Sequence, residues 1–129
     1  QSLHGMADRH RQSAFADFVL EQMAGVSGVG KRAMFGGFGI YRDGLMFALV
    51  ADEGLYFKAN DHLSEDFIAL GLLPFAYQSK GKTVALKYYR APESVFEDSD
   101  QMRHWAEKAY RCALRSAEST AKPKRSARR

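Results

Sequence analysis

Turns too short to carry a crossover punctuate this sequence, and they commit most of it to antiparallel strands. Arg42-Asp43-Gly44, Asp52-Glu53-Gly54 and Lys80-Gly81 each separate two short, apolar-rich runs. Such pairs supply the positive φ that a tight hairpin needs, whereas parallel neighbours would need a dozen or more residues between them. The runs are Arg32 to Tyr41, Leu45 to Ala51, Leu55 to Ala59, Phe75 to Ser79 and Lys82 to Tyr89. The first three read as a meander and the last two as a second hairpin. In the last strand Val84, Leu86 and Tyr88 face one way, and Thr83, Ala85, Lys87 and Tyr89 the other. The first run is interrupted by Gly36, Gly37 and Gly39. It reads as one strand with a bulge or tight bend where another backbone comes close. On that reading Met34, Phe35 and Tyr41 fill core.

Helical periodicity appears where the turns do not. Phe15, Phe18, Val19, Met23 and Val26 form a stripe that predicts a helix from Gln12 to Ala24. Asn60-Asp61 opens a shorter helix, His62 to Leu70, with Gly71 as its stop. Pro92 closes the strand region. Asp98 with Gln101 looks like a capping box, and Met102, Trp105, Ala106, Ala109, Tyr110 and Ala113 then carry a stripe to about Arg115. The predicted order is α-β(3)-α-β(2)-α, a two-layer α+β domain with a five-stranded, mainly antiparallel sheet. Helices on one face of such a sheet leave the other open unless a partner covers it.

The 129 residues, 46% of them hydrophobic, suffice for one domain with a real core. We expect it over 6–115. Residues 1–5, QSLHG, read like a vector remnant, with Met6 the native start. Residues 116–129 are expected to be a disordered basic tail. The lone Cys112 implies a reduced, cytoplasmic setting, and no apolar run is long enough to span a membrane. The net charge of +4 is carried by Lys122, Lys124, Arg125, Arg128 and Arg129. Without these five, 14 basic residues stand against 15 acidic ones, a body near −1. The count gives no support for a basic domain face, although clustering on one face could hide in a neutral total.

Chemistry-bearing patterns are sparse. Gly25 to Lys31 fits most of a phosphate-binding loop, but Arg32 stands where Ser or Thr must hold magnesium, and a helix precedes it where a strand is required. A helix-to-strand connection is the better reading. His4, His10, His62 and His104 lack metal-like spacing, and Cys112 lies too far along the helix from His104 to share a ligand. Asp52-Glu53 and Glu65-Asp66 sit where acids are common for structural reasons. No catalytic, metal or cofactor site is argued. Exposed aromatics beside an Arg are typical interface anchors, so Arg32, Phe38 and Tyr41 are the candidate contacts.

The stretches RAMFGGFGIYRDGLMFALVADEGLYFK (Arg32 to Lys58) and LPFAYQSKGKTVALKYYRAPE (Leu73 to Glu93) resemble the N-terminal domain of the TfoX/Sxy family, regulators of DNA-transformation competence. The resemblance covers nearly all of the folded body. It implies a secretion-chaperone-like α+β fold and a non-enzymatic regulator acting through a protein partner, without cofactor or catalytic residues. A homodimer is one form that partnership could take. The alternative is a nucleic-acid-associated transcriptional regulator using the basic tail.

Overall fold

The computed structural model describes residues 2–34, 37–51 and 54–127, and within these the side chains from 10 to 118. Helix α1 (Ser2–Gln22) leads into β1 (Val29–Met34), β2 (Gly37–Arg42), β3 (Leu45–Ala51) and β4 (Gly54–Lys58). Helix α2 (Asp61–Ala69), the hairpin β5 (Pro74–Ser79) and β6 (Lys82–Arg90), a 3-10 turn at Glu93–Phe96 and α3 (Ser99–Ala127) complete the chain. All strands join one antiparallel sheet in the order β1-β2-β3-β4-β6-β5. The class is α+β, with three helices.

The sheet has six strands, one more than the turns predicted. The glycine-rich run is two strands, because the chain reverses between them and Met34 pairs with Gly37. Gly37 is required there. A Cβ at that position would lie 1.9 Å from the carbonyl oxygen of Val50, so only a residue without a side chain allows β2 and β3 to approach. The bulge lies not in this run but in the neighbouring strand β3. Ile40 pairs with Ala48 and Tyr41 with Met46, which leaves Phe47 as the extra residue. Phe35, Gly36 and the turn acids Asp52 and Glu53 lie outside the described residues.

The remaining punctuation behaves as its chemistry demands. Asp43 and Gly44 have φ of 51° and 82°, and Lys80 and Gly81 have 52° and 78°, the pattern of two-residue hairpin turns. The Asn60 side chain accepts the Leu63 amide at 2.7 Å, and the Asp98 carboxylate accepts that of Asp100 at 2.9 Å, so both caps satisfy orphan helix donors. Gly71, with φ of 76°, stops α2. Helices α1 and α3 run beyond their predicted ends at Gln12 and Arg115.

One core lies between the helices and the sheet. Ala16, Val19 and Met23 of α1 enter it, as do Met102, Trp105 and Ala109 of α3. Phe67 of α2 is fully buried, 4.9 Å from the Trp105 ring and stacked on Tyr89 at 5.5 Å. Each such ring contributes about 1.5–3 kcal/mol of burial.

The candidate binding face

Directly opposed residues on neighbouring antiparallel strands share a face. Phe38 opposes Val50, Val50 opposes Leu55, Ala48 opposes Phe57, and Phe57 opposes Tyr89. This set meets the helices. The alternate residues form the other face, which no helix of the described structure covers. Gly39 opposes Leu49 there, Tyr56 opposes Arg90, and Lys58 opposes Tyr88.

The open face is built from cation and ring pairs. Arg32 lies 5.0 Å from the Tyr41 ring, Lys58 lies 5.3 Å from Tyr88, and Arg90 lies 5.6 Å from Tyr56. The Arg90 guanidinium also donates to the Tyr56 hydroxyl at 3.3 Å. Tyr56 meets Phe75 edge-on at 5.1 Å, and Phe75 continues to Tyr77 at 6.2 Å. Sulfurs of Met34 and Met46 crowd over Gly39 beside Tyr41. Tyr88 is partly buried: burial, with the Tyr41 phenol as a second cause, pushes its hydroxyl up to about 12.

The candidate contacts are therefore split between faces. Arg32 and Tyr41 stand together on the open side. Phe38, whose flanking glycines suggested exposure, packs against the core on the helix side, under the Lys31 ammonium at 4.9 Å. Met34 and Tyr41, read as core, belong to the open face. What the sequence reading missed is the row Tyr56, Phe75, Tyr77 and Tyr88. Its signal was the alternation of β6, which already set Tyr88 and Leu86 together; their neighbours followed only from register. Of the basic tail, Arg128 and Arg129 lie outside the described residues, and the side chains of Lys122, Lys124 and Arg125 are likewise outside them.

The other candidates have structural surroundings. Lys31, at the end of the loop-like Gly25 to Lys31 stretch, donates to the Ser13 hydroxyl at 3.0 Å and pairs with Asp17 at 2.7 Å. Cys112 is buried, and burial pushes its thiol up. It borders a pocket of about 200 Å³ with His62, Lys108 and Arg111, where Lys108 pairs with Asp66 at 3.6 Å. His104 lies edge-on to Trp105. Among the described residues no three potential metal ligands gather, and no helix is long and apolar enough to cross a membrane.

Residues 21–113 match the family described as TfoX N-terminal domain. The chain is 31% identical to "DNA transformation protein TfoX1" of Aliivibrio fischeri over 88 residues, which are 68% of this chain and 40% of that protein. It is 28% identical to "Protein Sxy" of Escherichia coli over 78 residues, 60% of this chain and 37% of that one. The aligned region spans about two-fifths of the length of these relatives.

Proposed function

The chain belongs to the TfoX N-terminal domain family, and on that premise we propose that it is a non-enzymatic regulatory domain that works by binding. The relative named a DNA transformation protein supports a role tied to competence or to gene regulation, in the cytoplasm. The observation that carries the binding reading is the open sheet face, where Arg32, Lys58 and Arg90 sit over tyrosines with no helix above them. Aromatic and Arg side chains held in place by their neighbours lose little freedom on binding, which suits them to anchor a partner.

The test is the double variant Arg32→Glu with Tyr41→Ser, both on the open face. It is expected to abolish the regulatory output in the native cell while leaving the circular-dichroism spectrum unchanged. An unaltered output would remove the open face from the function. Phe38 is left intact because its loss would open the core. The second reading places nucleic-acid contact in the basic C-terminal residues, favoured by five cations and no acid between 122 and 129. Truncation before Lys122 separates the two.

A further inference from the structure

We propose that the open face of the sheet binds single-stranded nucleic acid, stacking bases on its aromatic rings and holding phosphates with its lysines and arginines. The proposal rests on the open face being the working surface and names its occupant.

Charge is the first argument. The six strands contain seven Lys and Arg residues and no Asp or Glu. Three of the seven face the helix layer. Lys31 is neutralised by Asp17 and Lys87 by Asp61, while Arg42 lies over the Tyr110 ring. The other four, Arg32, Lys58, Lys82 and Arg90, alternate onto the open face, and among the described residues none of them meets a carboxylate within 4.0 Å. Among the described residues, the strands of this near-neutral body thus present cations and no carboxylate on the open face. Whatever settles there must bring negative charge. A second copy laid face to face would set cation against cation.

The rings decide which anion fits. Tyr56, Phe75 and Tyr77 run from β4 to β5 with centroids 5.1 and 6.2 Å apart, and Tyr41 and Tyr88 extend the aromatic surface across β2 and β6. Every base has a π-face, so a run of aromatics between cations accepts a single strand without regard to sequence. Guanidinium planes such as those of Arg32 and Arg90 stack bases as well. A duplex hides its base faces, and a sheet several strands wide, at about 4.8 Å per strand, does not enter an undistorted groove about 12 Å across. An acidic peptide would answer the charges and leave the rings without partners.

The experiment is fluorescence anisotropy on the full chain with labelled oligo(dT), oligo(U) and a duplex, each about 12 nucleotides long. Single strands are expected to bind more tightly than the duplex. A preference for oligo(U) over oligo(dT) would assign RNA through its 2′-hydroxyl, and equal binding a backbone-tolerant site. Tyr56→Ala and Tyr77→Ala should each weaken binding by about fivefold or more. Tyr56→Phe, which keeps the ring, should stay close to the parent, and unchanged circular-dichroism spectra of the alanine variants separate lost stacking from lost folding. Arg32→Gln and Lys58→Gln should each flatten the salt dependence by about one phosphate contact. Duplex binding equal to or tighter than single-strand binding overturns the proposal. So does single-strand binding that survives every face variant and vanishes on truncation before Lys122. If no oligonucleotide binds at low salt, yet Arg32→Glu with Tyr41→Ser still abolishes regulation, the nucleic acid falls and the working surface stands.

Discussion

On the helix side of the sheet Lys31 meets Asp17 and Lys87 meets Asp61; on the open side Arg32, Lys58 and Arg90 lie over Tyr41, Tyr88 and Tyr56. The apolar residues divide less sharply. Ile40, Val50 and Phe57 have no exposed surface on the covered side; on the other, Leu86 is 36% exposed but Leu49 only 5%. Both sets come from the same strands, one residue apart. The helix layer supplies the covered face with apolar surface and with carboxylates, and among the described residues no carboxylate pairs with the open-face cations. Strand parity therefore separates the residues that hold the domain together from those free to meet something else.

The largest expected effect lies on the covered side. Trp105→Ala should cost about 3–5 kcal/mol in urea unfolding, since the ring packs on Phe67 within the core. A loss below about 1 kcal/mol would mean that the α3 stripe does not form the core. Gly37→Ala comes next, at about 1–3 kcal/mol, because its methyl group meets the Val50 carbonyl; an unchanged stability would refute that close approach. Leu86→Ala, on the open face, should change stability by about 0.5 kcal/mol or less. A cost matching that of Trp105→Ala would show that the open face is a second core under cover.

Tyr88 sharpens the comparison through pH. Its folded hydroxyl, at about 12, holds its proton more tightly than the unfolded chain does at the ordinary 10.0. The stabilisation is thus fully present below pH 10 and is lost as pH rises from there through 12. Tyr88→Phe should fall less steeply over that window than the parent, and identical curves would place Tyr88 in solvent. The smallest effect is expected from deleting 121–129, which contain no apolar side chain larger than Ala except Pro123. The thermal midpoint should move by less than about 5 °C. A larger drop would show that these residues dock on the body.

Both tight turns were legible because Asp43-Gly44 and Lys80-Gly81 carry their conformation in their own side chains, or lack of them. The caps at Asn60 and Asp98 were legible for the same local reason. The separation of β1 from β2 was not. Gly37 permits a bend and a reversal alike, and the backbone of Val50, far along the chain, decides between them. Phe38 was misplaced for a related reason. Its flanking glycines give no parity signal, and its face is set by its register with Val50.

The candidate face was half visible. Arg32 and Tyr41 could be picked out as an exposed cation and ring, and alternation alone joined Tyr88 to Leu86. The tyrosine row could not, because Tyr56, Phe75 and Tyr77 lie on strands whose neighbours are fixed only when β6 inserts between β4 and β5.

The sequence by itself determined the α+β class, the antiparallel pairing, the helix caps and the stripe that seats Trp105, since each depends on residues within a turn or two of one another. Tertiary structure alone decided the sixth strand, the face of Phe38 and the segregation of charge. A count near neutrality is silent about where charges point. Only the strand register, with helices carrying acids to one side, turns seven strand cations and no strand acids into a covered face where Lys31 and Lys87 meet carboxylates and an open face where, among the described residues, no cation does.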